Sequence, residues 1–414
     1  MLHTYNASME RSPRAMWMAR NLTRLSVIAA KCGPDTWTPP STAANATNLL
    51  TCADYAERKP GWQSVRLVMG VATGPSNRKR RDAIRQTWMR WPSVGRTVVV
   101  CFAVGRKQVP PTVLSHLDDE AAAHGDLLFL PVSDGCVSMV SIGKAYAFWA
   151  TASRLAEGSP ARPLIAKADD DSFVNLPLLQ QTLGRLHCVE RLYLGALAFV
   201  GFHPLHLRNC GFAWGGSKAW ERYGCAATGA YPPVPFALGQ LQVMAAPLAM
   251  ALALSPEAQA LATASEAQPN VNANEDAAIG FMVSRLPNVT YVSLSKNAWH
   301  NLGCFPTSGM YRPPAPNSSV VVHRLLTIGA LRYVWRVVRG EERSNVVVCQ
   351  NAAMKWGEGP VERLRSWCSL CTGLGWNVRQ SKAPNGCIDL GGSRQYLARL
   401  KEGCKALGFE TSSR

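Results

Sequence analysis

The chain has 414 residues, of which 47% are hydrophobic and 17% are charged. This balance is typical of a globular protein and excludes the fibrous and the disordered classes. The net charge of +17 favours anionic partners. The basic residues are dispersed, however, with their densest run at 78–81, and they lack the interleaved aromatic residues of single-strand binders. We therefore expect no nucleic-acid partner.

Apolar runs and amphipathic stretches alternate from residue 65 onward. Their periodicity predicts strands at residues 66–73, 97–104, 126–131, 163–168 and 193–199. It predicts helices at residues 80–89, 111–124, 140–155 and 176–186. This alternation favours a mostly parallel central sheet flanked by helices on both faces, in an α/β domain at 61–340. Ligands of such sheets bind outside the carboxyl ends of the strands.

The two ends of the chain and one internal stretch are less regular. Residues 1–60 are rich in Ser, Thr, Asn, Ala and Pro and are expected to form a flexible stem. Residues 238–254 suggest a helix or a loop, and the Ala-rich residues 245–267 a helical or partly disordered segment. The tail at 341–414 contains five cysteines and is expected to be a small Cys-rich extension. Its single CxxC pair lacks the second pair of a zinc ribbon, which favours disulfides or free thiols.

Cysteines and glycosylation sequons bear on the cellular compartment. Thirteen cysteines are scattered along the chain, and those in loops suit disulfides if the compartment is oxidising. Cys101 lies inside an apolar run and is expected to be a buried free thiol. Five Asn-x-Ser/Thr sequons begin at Asn6, Asn21, Asn45, Asn288 and Asn317. No stretch reaches the roughly 18–20 apolar residues of a membrane span, so no anchor is visible, although membrane association stays open.

Three consecutive aspartates follow a short apolar run that is predicted to be a strand. Asp169, Asp170 and Asp171 come shortly after residues 164–166. Carboxylates at a strand end supply the hard oxygen ligands that Mg²⁺ and Mn²⁺ prefer. A helix cap is the alternative interpretation, but a cap requires one aspartate rather than three. A metal held there would neutralise the charge on a diphosphate leaving group.

A second acidic element opens a predicted helix further along the chain. Glu275 and Asp276 precede the apolar residues 277–282. Alone they are an ordinary acidic first turn, whereas beside the aspartates they can supply a general base. His300 and His323 are candidates to complete a metal site, although each is individually more typical of a structural histidine.

Six short motifs occur in a fixed order between residues 65 and 335. In chain order they are RRDAIRQTW at 80–88, FAVG at 102–105, the pattern Glu120, Asp126, Asp134 and Lys144, KADDDSFVN at 167–175, ED-x-x-x-G at 275–280, and His323 with Leu331 and Trp335. Their order and spacing resemble those of the inverting β-1,3-galactosyltransferase family. That family also includes β-1,3-N-acetylglucosaminyltransferases and relatives of fringe.

The resemblance implies a GT-A fold, which is a Rossmann-like α/β sandwich in one continuous domain. It implies metal-dependent transfer of galactose, or of N-acetylglucosamine, from a UDP-sugar to a hydroxyl of a glycan or glycoprotein acceptor. The linkage formed would be β-1,3, and the location would be the Golgi or another secretory-pathway lumen.

The resemblance also implies roles for individual residues. Asp171 and His323 would hold Mn²⁺ or Mg²⁺, with His300 as the alternative histidine. Asp276 would be the catalytic base. The donor nucleotide would be bound by three residues: Arg81, Asp169 and Asp170.

One stretch departs from the family pattern. Many members carry YPxYxxGxGYxxS, whereas residues 231–242 read YPPVPFALGQLQ, without the second tyrosine and the Gly-Gly-Tyr portion. The identity of the substrates is therefore open. A catalytically weak, lectin-like or scaffolding relative is the alternative to an active transferase.

Overall fold

The computed structural model describes Cys32 and residues 49–134, 141–211, 224–267, 274–295, 297–302, 311–325 and 327–342. The predicted Cys-rich extension, apart from residues 341 and 342, lies outside the described residues. The same holds for residues 1–48 other than Cys32.

Twelve strands and nine α-helices are present in these described ranges. The strands are β1 (Leu67–Ala72), β2 (Val98–Lys107), β3 (Leu127–Ser133), β4 (Leu164–Asp169), β5 (Phe173–Val174), β6 (Leu192–His203), β7 (Arg208–Cys210), β8 (Tyr231–Ala245), β9 (Thr290–Ser293), β10 (Trp299–Leu302), β11 (Tyr311–Arg312) and β12 (Val321–His323). The helices are α1 (Cys52–Ala56), α2 (Arg78–Arg85), α3 (Pro111–His124), α4 (Ile142–Ala156), α5 (Leu176–Gly184), α6 (Ala246–Ala253), α7 (Pro256–Ala267), α8 (Glu275–Ser284) and α9 (Ile328–Val338). All nine elements predicted between residues 66 and 199 are confirmed in type, with shifts at their ends.

The main sheet has eight strands in the order β3-β2-β1-β4-β8-β6-β7, with β9 beside β6. Strands β3, β2, β1 and β4 are parallel, and β8 is antiparallel to both β4 and β6. A smaller sheet has the order β11-β10-β12-β5. The predicted mostly parallel α/β sheet is therefore confirmed, and the second sheet, which the sequence did not indicate, lies beside the end of β4.

Apolar residues of the sheet pack against helices on both faces. On one face, Met69 and Val71 of β1 belong to a core that includes residues of α2, α5 and α9. On the other face, Ile165 of β4 belongs to a core with α4, α6 and α8. Gly70 permits the approach of α4, because a Cβ there would lie 2.0 Å from the ring of Phe148. Burial on both faces explains why β1 and β4 are nearly continuous apolar runs.

The folded unit begins earlier than the predicted boundary at residue 61. Residues 49–60 include α1, whose Cys52 is buried and forms a disulfide with Cys101 of β2. The expectation that Cys101 is a free thiol was therefore wrong, because an apolar strand can equally present a half-cystine to a helix packed on it. Two further disulfides join Cys32 to Cys188 and Cys210 to Cys225.

The stretch at 238–254 is neither a loop nor wholly a helix. Its first part completes β8, and its second part forms α6. β8 acquires its strand structure from pairing with β4 on one side and β6 on the other, which overrides a sequence of weak strand propensity. None of the helices in the described ranges has the length and hydropathy of a membrane span.

Candidate functional site

Asp169, Asp171 and His323 form a group of three possible metal ligands. One ligand atom of each lies within 4.8 Å of those of the others, and all three residues are half-buried. Asp169 ends β4, and Asp171 lies in the turn between β4 and β5. β12 pairs with β5 and thereby brings His323 next to this turn, with Nε2 3.2 Å from Asp171 Oδ1. The turn and the two short strands therefore assemble the group.

The orientation of the His323 ring suits a metal ligand. Nδ1 lies 2.9 Å from Asn301 Oδ1, and this amide oxygen can only accept, so Nδ1 carries a hydrogen. Nε2 is the ring atom that faces Asp171, to which it donates when protonated and beside which it would offer a lone pair to a cation that displaced that proton. Burial disfavours the charged forms of His323 and Asp171, but their mutual attraction prevails. The pKa of Asp171 is consequently lowered and that of His323 is raised. Two carboxylates and one oriented imidazole fit a divalent cation.

Asp170 points away from this group and towards the loop after β1. Its Oδ2 accepts hydrogen bonds from Thr73 Oγ1 at 2.7 Å and from Asn77 Nδ2 at 2.9 Å. Arg80 Nε lies 3.6 Å from its other oxygen. Burial raises the pKa of this carboxyl even though Arg80 opposes the shift. Asp170 therefore fixes the loop between β1 and α2 to the end of β4.

Lys167 connects the aspartates to the second acidic element. Its fully buried ammonium group donates to Asp169 Oδ1 at 2.7 Å and to Glu275 Oε1 at 2.9 Å. It also lies 3.4 Å from the carbonyl oxygen of Gly239. The two attractive charges outweigh burial and raise the pKa of Lys167. The structure thus brings the two acidic motifs together through Lys167, which begins the KADDDSFVN motif but had no individual role predicted from the sequence.

Asp276 lies beside Glu275 in the first turn of α8 and is buried. Its carboxylate accepts hydrogen bonds from the backbone N–H of Gly239 at 3.2 Å and of Ala277 at 2.7 Å. Burial, and after it the negative charge of Glu275, raises the pKa of Asp276 to about 8. A carboxylate with so high a pKa is suited to accept a proton near neutral pH.

Gly239 lies at the point where the two acidic elements approach each other. A Cβ at this position would lie 2.8 Å from Asp169 Oδ2 and 3.2 Å from Glu275 Oε1. It belongs to residues 231–242, the stretch that departs from the family pattern, so that stretch retains a glycine where space is required. A glycine inside a strand signals such close approach. A lysine inside an apolar strand likewise signals a buried partner, so both residues could have been found from the sequence.

Arg81 is the predicted site residue that the structure does not bring to this cluster. Its guanidinium is 0% exposed and makes a bidentate ion pair with Glu120, at 2.9 and 2.7 Å. Two further donors bind the carbonyl oxygens of Gly74, at 2.6 Å, and Pro75, at 3.1 Å. In this geometry Arg81 supports the loop after β1.

The motif residues between 120 and 144 also contact other residues of the protein. Arg85 joins Glu120 to Asp126, with which it makes two hydrogen bonds of 2.8 and 2.7 Å. Asp134 pairs with Lys144 and accepts the backbone N–H of Gly105. Lys144 also donates to the carbonyl oxygen of Thr73. These motif residues hold the loops at the carboxyl ends of β1 and β2.

His300, the alternative histidine, is buried and takes part in a different contact. Its Nε2 lies 2.8 Å from Ser319 Oγ, and Ser319 Oγ also accepts the backbone N–H of Ala315. The donor set around Asp171 therefore includes His323, and His300 supports the loop before β12.

Comparison with known proteins gives matches to galactosyltransferases. The family model described as Galactosyltransferase matches residues 79–292. "Probable beta-1,3-galactosyltransferase 8" of Arabidopsis thaliana is 34% identical over 149 residues, which cover 34% of this chain and 36% of the relative. "Beta-1,3-galactosyltransferase 7" of the same plant is 31% identical over 177 residues, covering 41% and 43%. The chain thus spans less than half the length of these two relatives.

Similar solved structures are distant. A glycosyltransferase involved in glycosylation of the major capsid of PBCV-1 is 12% identical with a TM-score of 0.31, covering 65% of this chain and 98% of that one. The galactosyltransferase LgtC, in complex with donor and acceptor sugar analogs, is 11% identical with a TM-score of 0.33, covering 68% and 97%. These low scores carry no argument here, so the assignment of a mostly parallel α/β fold rests on the sheet order described above. Because the family model spans just over half of the 414 residues, the chain belongs to the galactosyltransferase family.

Proposed function

We propose that the protein is an inverting, metal-dependent hexosyltransferase. It transfers galactose from UDP-galactose, or N-acetylglucosamine from the corresponding UDP-sugar, to a hydroxyl of a glycan or glycoprotein, and forms a β-1,3 linkage. The family membership supports sugar transfer. The observation that carries the proposal is the joining of the metal-ligand group to the buried Asp276, through Lys167 and Gly239.

The metal-ligand group suits the donor side of the reaction. Asp171, His323 and Asp169 would hold Mn²⁺, or Mg²⁺, and such a cation when bound neutralises charge on a diphosphate leaving group. Asp170 is retained as a candidate donor contact, because it secures the loop after β1 beside this group. Arg81 would act on the donor through the carbonyl oxygens of that same loop.

Asp276 suits the acceptor side. The acceptor hydroxyl oxygen forms a bond to the anomeric carbon, the bond from that carbon to the UDP oxygen breaks, and the hydroxyl proton passes to the Asp276 carboxylate. Attack from the side opposite the leaving group inverts the anomeric configuration. The raised pKa of Asp276, about 8, makes it a stronger base than an ordinary carboxylate.

A Golgi or other secretory-pathway lumen is the proposed location. Disulfides persist in oxidising compartments, and three are formed among the described residues. The five sequons of the chain support the same location.

The experiment is a transfer assay with a panel of UDP-sugars, with Mn²⁺ or with EDTA, followed by linkage analysis of the products. We expect Mn²⁺-dependent transfer from UDP-galactose. Asp276→Asn should lower transfer by ~10²–10⁴-fold while UDP affinity is retained, because an amide keeps the shape and cannot accept the proton. Glu275→Gln is the matched control, and it should lower the transfer rate less than Asp276→Asn does.

Two outcomes would contradict the proposal. If UDP-sugars bind but no donor supports transfer to any acceptor, the lectin-like or scaffolding alternative is favoured. If Asp276→Asn turns over normally while Glu275→Gln is inactive, the assignment of the base is wrong.

A further inference from the structure

A groove of about 470 Å³ lies between the beginning of β8 and the end of α8. This volume is within the range of sites that bind small molecules. Ser284, which lines the groove, is eight residues after Asp276, so it lies about 12 Å further along the axis of α8. Phe281, which also lines the groove, is five residues after Asp276, or about 7.5 Å along the same axis, so the groove lies towards the end of α8 that is remote from the acidic cluster.

The groove is lined by the first residue of a glycosylation sequon. Asn288 begins the sequence Asn288-Val289-Thr290 in the turn between α8 and β9, and it is exposed. Its φ of 58° is in the left-handed region, which asparagine tolerates better than most residues. Thr290 pairs with Leu192 of β6, so the sheet holds this turn beside the groove.

The walls of the groove suit a carbohydrate. Tyr231 is 37% exposed, and its ring centroid lies 5.1 Å from that of the buried Phe281. The Arg285 guanidinium lies 5.3 Å from the centre of the Tyr231 ring. A pyranose packs its apolar C–H face on an aromatic ring, while its hydroxyl and acetamido oxygens accept hydrogen bonds from arginine. The guanidinium lies over the Tyr231 ring and its Nε contacts Glu257 at 3.3 Å, so a sugar in the groove would meet the exposed part of the ring together with the other nitrogens of Arg285.

We propose that Asn288 carries an N-linked glycan whose first N-acetylhexosamine residues lie in this groove against Tyr231 and Arg285. The amide nitrogen of Asn288 forms a bond to the anomeric carbon of an oligosaccharide linked to a lipid diphosphate. The amide loses one proton, and the lipid diphosphate leaves. The glycan covers the exposed face of Tyr231 and secures the turn before β9. This assignment rests on the proposed secretory-pathway location and not on the proposed transfer reaction.

The first test is occupancy. The full chain is secreted from a eukaryotic host, and peptides are analysed by mass spectrometry with and without enzymatic removal of N-glycans. We expect Asn288 to be occupied and Asn288→Gln to lose one glycan mass. Asn317→Gln is the matched control, because Asn317 is also an exposed sequon residue but lies in the loop before β12, away from the groove. This change should leave the glycan mass on the Asn288 peptide unaltered. An unmodified Asn288 in the secreted protein would overturn the proposal.

The second test asks whether the glycan lies in the groove. The rate at which an endoglycosidase releases the Asn288 glycan is measured on the folded and on the denatured protein. We expect release from the folded protein to be several-fold slower, and we expect Tyr231→Ala to remove most of this protection without changing occupancy. Equal rates for folded wild-type and denatured protein would show that the glycan does not lie in the groove.

Discussion

Two clusters of buried and half-buried charged side chains differ in the ratio of positive to negative groups. The paired cluster lies between α2 and α3 and consists of Arg81, Arg85, Glu120 and Asp126. Its two guanidinium groups and two carboxylates are joined by short bidentate contacts, and Arg85 also contacts the more exposed Asp82 at 2.6 Å. The two arginines outweigh the effect of burial, so the pKa of Glu120 is lowered. This cluster is complete without a ligand.

The acidic cluster has an excess of negative charge. It consists of Asp169, Asp171, Glu275 and Asp276, with Lys167 and His323 as partners. Burial and the charge of Glu275 raise the pKa of Asp276 to about 8, so the fold does not fully compensate that carboxylate. A bound cation would supply the missing positive charge. Both clusters contain motif residues, so a motif alone does not distinguish them. The balance of charges distinguishes the supporting cluster from the candidate site.

Removing a ligand from the acidic cluster should have the largest effect. Asp171→Ala deletes a carboxylate that contacts His323, so the cation should bind weakly and transfer should fall by roughly 10³-fold or more. The measurement is calorimetric titration of UDP with Mn²⁺ and with EDTA, beside the transfer rate. Asp119→Ala, an exposed change on α3, is the control. If wild-type protein binds UDP equally well in EDTA, metal dependence is wrong.

Breaking the paired cluster should affect stability instead. Arg81→Met fills the buried space but leaves Glu120 with one arginine, and loss of a buried partner typically costs ~3–5 kcal/mol. Urea denaturation measures the change in unfolding free energy. The double variant Arg81→Met with Glu120→Leu should lose less than the sum of the single changes, because no unpaired carboxylate remains.

The single variant Arg81→Met also tests whether Arg81 contacts the donor directly. If Arg81 acts on the donor only by supporting the loop after β1, Arg81→Met that is folded at low temperature should still bind UDP, with an affinity reduced only in part. A variant of normal stability that no longer binds UDP would instead indicate a direct donor contact, as the family resemblance implies.

Replacing the buried carboxylate of Asp276 by an amide should stabilise the protein at high pH. The folded-state pKa of Asp276 is above its unfolded value of about 4, so its favourable contribution is present below pH 4 and is lost as pH rises to about 8. Asp276→Asn does not titrate and should gain a few kcal/mol relative to wild type across this window. Denaturation is measured at pH 4–9 in EDTA. Parallel curves for the two proteins, or the same trend in Asp119→Asn, would contradict this expectation.

The parallel half of the sheet and the aspartates at its edge could be predicted from the sequence. β1 and β4 are apolar runs of strand length, and Asp169 to Asp171 come where β4 ends. Parallel strands buried on both faces have a pattern that is hard to mistake. The carboxyl-edge position of the candidate site follows from this half alone.

The contacts between the two acidic motifs could not be predicted in the same way. They depend on β8, which pairs between β4 and β6 and brings Gly239 beside Asp169. They also depend on β12, a three-residue strand that places His323 and is too short to show periodicity. Arg81 shows the other limit, because its partner Glu120 is 39 residues away and a motif does not reveal whether a charge is already paired.

The smallest expected effect is a shift in the pH dependence of transfer. A general base acts in its ionised form, so kcat/KM should rise as pH passes the pKa of Asp276. Glu275 raises that pKa and Lys167 lowers it. Glu275→Gln keeps an oxygen for Lys167 but removes the negative charge, so the rising limb should move to lower pH by less than about one unit.

Removing the positive charge of Lys167 should shift the pH dependence in the opposite direction. Lys167→Met removes the positive charge beside the same carboxylates, so its rising limb should move to higher pH. Both profiles are measured as kcat/KM between pH 5 and pH 9, since this ratio reports ionisations of the free enzyme. A general loss of structural order would lower both profiles without moving their limbs in opposite directions. If both limbs stay in place or move together, the titrating base is a residue other than Asp276.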